Sequence, residues 1–214
     1  MRLFLASSFG TRMKELHELV GENKTILVIL NASDRKSRLK RRWKSFKYLR
    51  NWRKAGFNPV ELDLRKFFDQ RAKLKRFIKQ KNPGMIYASG GNTFILRRAF
   101  RQSGFDDILT ADLKGNRYVY GGGSAGAVVV CKDLSYFINP DDEPTETPKG
   151  YDTWPILEGL GLVREYIVPH YDTDWFGPIA RQVAHEVAKA GKTAIKLRES
   201  SVVVVNGRRM ELLK

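Results

Sequence analysis

The sequence is poor in the residues that staple or metallate a small protein. Among its 214 residues there is one cysteine, Cys131, which excludes an intramolecular disulfide and a zinc site built from cysteines. Three histidines, His17, His170 and His185, argue against a multi-histidine metal cluster. No apolar run approaches the roughly 18 residues needed to span a bilayer. The opening apolar stretch, Leu3 to Ala6, falls short of the about 7 to 15 residues of a signal h-region. It reads as a first strand, and the protein is expected in the cytoplasm, without a membrane partner. Acidic residues are scarce where basic ones crowd. Residues 1–100 carry 25 Lys and Arg against 7 Asp and Glu, whereas residues 101–214 carry 14 against 16. The whole net charge of +16 therefore arises in the first half.

What is present is a globular composition, with 42% apolar and 29% charged residues. The length suits one domain over residues 1–214. Short apolar runs at Leu3–Ala6, Thr25–Leu30, Pro59–Leu64, Met85–Ala88 and Tyr118–Tyr120 read as strands. Helical patterns fall between them near 11–20, 36–55, 69–80, 92–102 and 105–113. Such alternation implies an α/β fold, a mostly parallel sheet with helices on both faces. In 36–55, Leu39, Trp43, Phe46 and Leu49 form one helical stripe, expected to face the core. Gly177-Pro178 opens a later helix. Ser201–Val205 and Arg208–Leu212 read as a terminal β-hairpin turning at Asn206-Gly207. Residues 139–155 hold four prolines and five acidic residues, which suggests a long surface loop.

The chemistry concentrates at Gly122-Gly123-Ser124-Ala125-Gly126, a G-x-S-x-G motif with an apolar strand before it and a small, helix-compatible run after it. In a nucleophile elbow the serine sits on a strained strand-to-helix turn, with its hydroxyl raised above the sheet. The N–H of Ala125 is then placed to stabilise an oxyanion. A P-loop is excluded because no Lys-Ser/Thr follows the glycines. The spacing also fits G-x-G-x-x-G formally, but after about the fifth strand instead of the first. His170 follows the apolar Tyr166–Val168 at a strand end and is the candidate base. His17 and His185 lie within helical patterns and read as surface or flank residues. Glu199, after Ala194–Leu197, is the candidate orienting carboxylate, with Asp172 and Asp174 as competitors. The order Ser, His, acid differs from that of the α/β-hydrolases. Ser89-Gly90-Gly91-Asn92-Thr93 offers a second set of backbone donors at Gly90 or Gly91, with Asn92 as a helix cap.

Together, Gly90-Gly91-Asn92-Thr93-Phe94, Gly123-Ser124-Ala125-Gly126-Ala127, Pro169-His170-Tyr171 and Glu199 resemble peptidase E, the α-aspartyl dipeptidase family of serine peptidases related to cyanophycinases. The resemblance implies a class I glutamine amidotransferase-like three-layer sandwich. It implies Ser124 as nucleophile, His170 as general base, Glu199 as its orienter, and Gly91 and Ala125 as oxyanion donors. It implies a short peptide substrate with N-terminal aspartate, and no metal or organic cofactor. Asn92 and Asp142 would bind substrate, Asp142 taking the free amine. Arg181 would take the aspartyl carboxylate, because arginine forks onto carboxylates. A monomer or a homodimer is expected.

The basic half does not follow from dipeptide hydrolysis. Residues 35–54 hold 11 Lys and Arg with Trp43, Phe46, Tyr48 and Trp52 interleaved, and residues 65–81 hold 8 more. A solvated helix face is the bland account. The rival is a polyanion- or nucleic-acid-binding member of the fold, catalytic or not.

Overall fold

The computed structural model describes residues 1–214. Nine strands and seven helices follow in the order β1 (Arg2–Ala6), α1 (Met13–Val20), β2 (Thr25–Ile29), α2 (Arg38–Lys54), β3 (Asn58–Glu61), α3 (Arg71–Lys81), β4 (Met85–Ala88), α4 (Thr93–Ser103), α5 (Phe105–Lys114), β5 (Val119–Gly123), α6 (Ala125–Val128), β6 (Tyr166–Val168), α7 (Gly177–Lys189), β7 (Ala194–Lys196), β8 (Val202–Asn206) and β9 (Arg209–Leu213). Seven strands form one sheet in the order β3-β2-β4-β5-β1-β8-β9. Its first five members run parallel, and β8 and β9 add an antiparallel edge. Strands β6 and β7 pair in parallel as a separate two-stranded sheet. No helix is long and apolar enough to cross a membrane.

Period-two alternation divides the core. Leu3, Leu5, Leu27, Ile29, Ile86, Tyr120 and Val203 point to the larger cluster, beneath α3 to α7. Phe4, Ile26, Val28, Met85, Tyr87, Val119 and Val202 point to the smaller one, which Leu16 of α1 and Trp52 of α2 close from the other side. Trp52 meets Phe9, Phe57 and Tyr87 edge-on, with ring centroids 4.7, 5.2 and 4.9 Å away. Cys131 lies wholly buried in the larger cluster and accepts the Ile167 N–H at 3.3 Å. Burial pushes its thiol up to about 12.

Two expectations are corrected. In α2 three of the four stripe residues, Leu39, Trp43 and Phe46, face solvent at 81%, 67% and 60% exposure, and Leu49 alone packs, half-buried, against the smaller cluster. The buried face is Arg41, Ser45 and Trp52. Arg41 is tolerated there because Asp34 and Glu61 meet its guanidinium at 2.8 and 2.7 Å. In the hairpin, Asn206 pairs with Arg209, so the turn falls on Gly207-Arg208, one residue later than expected. Gly207 supplies the left-handed corner at φ 66°.

Candidate active site

The carboxyl ends of the parallel strands share one edge, where α/β sheets commonly place their ligands. Ser7 and Ser8 leave β1, Asn31 to Arg35 leave β2, Gly90 and Gly91 leave β4, and Ser124 leaves β5 at the centre of the sheet. His170 arrives from β6.

Ser124 sits at φ 51°, ψ −116° between β5 and α6, a strained backbone for a non-glycine residue. Its N–H still donates to Ala6 of β1 at 3.0 Å, so the sheet holds the turn. The flanking glycines are steric requirements. A Cβ on Gly122 would lie 2.2 Å from the Gly126 carbonyl oxygen, and one on Gly126 would lie 2.1 Å from that of Ala88.

Ser124 Oγ lies 2.9 Å from His170 Nε2, and His170 Nδ1 lies 2.7 Å from Glu199 Oε1. His170 is itself left-handed at φ 59°, and its N–H donates to Ser7 Oγ at 3.0 Å. Glu199 is tied at four points: Oε1 to His170, Oε2 accepting from Ser8 Oγ, its carbonyl accepting from Thr11 Oγ1 at 2.9 Å, and its N–H donating to Asp172 at 3.0 Å. Asp172 therefore braces the acid position without occupying it. Trp175 and Phe176 cover the imidazole, with ring centroids 4.9 and 5.7 Å away.

A cavity of about 330 Å³ opens onto this array. Ser124, His170, Gly91, Ala125, Thr93, Asp142 and Arg35 contribute its polar wall, while Val128, Phe137, Trp175 and Phe176 contribute apolar wall. The N–H groups of Gly91 and Ala125 have no hydrogen-bond partner within the protein. No group of three or more His, Cys, Asp or Glu side chains is arranged to hold a metal.

The acidic loop of residues 139–155 is pinned over the cavity. Arg98 of α4, wholly buried, donates to the carbonyls of Pro144, Glu146 and Trp154. Tyr151 donates to Asp34 at 2.5 Å. Asp142 reaches the first turn of α4, where its oxygens accept from the Thr93 N–H at 2.6 Å and the Thr93 hydroxyl at 2.7 Å. Burial outweighs these donors and raises the Asp142 carboxyl to about 7.

The expected substrate-binding residues divide. Asp142 lines the cavity. Asn92 does not, because it is fully buried and committed: its Oδ1 caps Ile95 at 2.8 Å and its Nδ2 donates to the Glu143 carbonyl at 3.0 Å. Arg181 is exposed on α7, folded back beside Gly177 and outside the cavity wall. The arginine that lines the cavity is Arg35, 3.3 Å from Glu146. Its place depends on how the segment after β2 turns, which no local pattern records. No spacing in the sequence assigns Ser7 and Ser8 their bonds to His170 and Glu199.

Residues 4–213 match the sequence pattern of peptidase family S51. The chain belongs to that family. An uncharacterized peptidase of Pasteurella multocida is 31% identical over 189 residues, covering 85% of this chain and 83% of the relative. One from Listeria innocua is 29% identical over 165 residues, covering 72% and 74%. Among solved structures, a candidate peptidase E from Listeria monocytogenes superimposes with a TM-score of 0.75 at 21% identity, covering 100% of this chain and 98% of that one. A peptidase from an acI-B1 Actinobacterium gives 0.70 at 16%, covering 99% and 86%. The likeness to these structures extends to the whole α/β sandwich and its terminal hairpin. The S51 chain is thus a peptidase of peptidase E-like fold.

Proposed function

We propose that this peptidase is a serine dipeptidase acting on short peptides with N-terminal aspartate. The observation that carries the reading is the continuous Ser124–His170–Glu199 hydrogen-bond chain, set beside two unpartnered backbone N–H groups at one cavity. His170 Nε2 takes the Ser124 proton as Oγ attacks the scissile carbonyl. The tetrahedral oxyanion accepts from Gly91 and Ala125. His170 then protonates the leaving amine, and water repeats the sequence on the acyl-enzyme. Glu199, accepting from Nδ1–H, holds the required tautomer and steadies the imidazolium.

Specificity rests on two opposite charges in one small cavity. Asp142 receives the substrate ammonium, and Arg35 takes the role expected of Arg181, pairing with the aspartyl carboxylate. Hydrolysis of dipeptides with Asp, Glu, Asn, Leu or Arg at the N-terminus, by wild type and Ser124→Ala, tests both levels. Cleavage of aspartyl peptides alone, lost in the variant, is expected. Turnover by Ser124→Ala would refute the serine mechanism, and indifference to the first residue would refute the specificity.

A second reading attaches to α2, because Trp43 and Phe46 stand exposed among its cations. We propose that this face also binds single-stranded nucleic acid through phosphate contacts and stacking. Retention of a labelled oligonucleotide at low salt, lost on raising salt and in Trp43→Ala, is expected. No binding at low salt would remove this reading.

A further inference from the structure

Lys44 is the one cation of α2 that turns inward to the oxyanion loop. Its Nζ donates to the Gly90 carbonyl oxygen at 2.7 Å and to Ser33 Oγ, and it stands 5.3 Å from the Tyr48 ring centroid. The Gly90 carbonyl and the Gly91 N–H belong to the same peptide unit. In a trans peptide they point in opposite directions, one toward α2 and the other free to serve the cavity. An ammonium on the carbonyl draws electron density from the nitrogen and makes the N–H a stronger donor.

We propose that Lys44 is a positioning residue of the oxyanion hole, fixing and polarising the Gly90–Gly91 peptide from behind. This inference rests on the serine-peptidase reading above. Lys44 touches neither Ser124 nor His170, and it does not line the catalytic cavity. It gives one residue of the basic helix a part in hydrolysis.

The ammonium is also titratable in a useful range. Burial, with Lys36 and Arg41 nearby, lowers it to about 8, against the opposing pull of Asp34. Below that pH Lys44 is charged and the peptide is polarised. As pH rises through it, the proton is lost and the Gly91 donor weakens. The rate of oxyanion formation should then fall.

A small alkyl fluorophosphonate tests this without knowledge of the natural substrate. Ser124 Oγ bonds to phosphorus, fluoride leaves, the proton passes to His170, and the phosphoryl oxygen occupies the oxyanion hole. The maximal inactivation rate and the reagent's binding constant are measured from pH 6 to 10 for wild type, Lys44→Met and Lys44→Arg. We expect Lys44→Met to lower the maximal rate about tenfold at pH 7, with little change in binding, and to abolish the decline near pH 8. Lys44→Arg should keep most of the rate and carry it past pH 8, since guanidinium does not deprotonate there. A wild-type rate in Lys44→Met, or the same decline near pH 8 in all proteins, overturns the proposal. If Lys44→Met does not fold, the Lys44→Arg profile decides alone. Labelling that persists in Ser124→Ala would instead overturn the serine reading, so the two failures are distinguishable.

Discussion

Ser8, at the exit of β1, donates its hydroxyl to Glu199, 191 residues further along the chain, and so fixes the carboxylate oxygen that His170 does not use. The acid is exposed enough to swing, at 40% side-chain exposure, and a second anchor limits that freedom. Ser8→Ala should therefore lower kcat by about tenfold with KM little changed. Glu199→Gln should cost about 10²- to 10⁴-fold in kcat, because the amide can present the wrong hydrogen-bonding partner to Nδ1. Steady-state kinetics, with circular dichroism as the folding control, check both.

Asp142 should impose a pH dependence on substrate affinity. Its carboxyl, raised to about 7, is largely protonated at pH 6 and becomes a carboxylate above 7. Substrate α-amines stay charged to about pH 8. KM for an aspartyl dipeptide should thus fall between pH 6 and 7.5 and rise again above 8. In Asp142→Asn the acid-side change should vanish. The same shift bears on folding with the opposite sense. A raised folded value means that the native state holds a proton the unfolded chain has released, so this group's contribution to stability declines as pH rises from about 4 to 7. Urea midpoints of wild type and Asp142→Asn across that window measure it.

The two arginines should separate cleanly. Arg35→Ala is expected to raise KM for aspartyl substrates at least tenfold and to narrow the preference for Asp over Asn. Arg181→Ala, on the exposed face of α7, should leave both within about twofold. A dipeptide panel run on the two variants discriminates them.

The elbow and the smaller core should be fragile for different reasons. Gly126→Ala places a Cβ against the Ala88 carbonyl, a backbone atom that cannot yield locally, and should cost about 3 kcal/mol or more. Trp52→Ala leaves a void between Phe9, Phe57 and Tyr87 and should cost about 3 to 5 kcal/mol. Denaturant unfolding checks both, and Trp52→Ala should retain the Ser124–His170 chemistry where it stays folded.

Ser124, His170 and Glu199 were legible because each follows the carboxyl end of a strand, Ser124 in the large sheet and the other two on the separate β6–β7 pair, and parallel strands carry such ends to one side. The face of α2 was not. Spacing shows that Leu39, Trp43 and Phe46 share a side of the helix, but not which side meets the sheet. Asp34 and Glu61 decide that, by giving Arg41 a paired burial that reverses the ordinary preference. Arg35 and Arg98 were hidden for a related reason. Their partners lie across the fold in the loop of residues 139–155, and only the closed chain brings them together.

Cys131 gives the protein a built-in chemical control. A thiol held near 12 inside the larger core has almost no thiolate at neutral pH and no solvent path to a reagent. Alkylating agents that silence cysteine peptidases should leave this one active, since there is no other sulfhydryl for them to find. Inactivation by an electrophile that favours thiolates would then report unfolding, and the native enzyme can be handled without reductant.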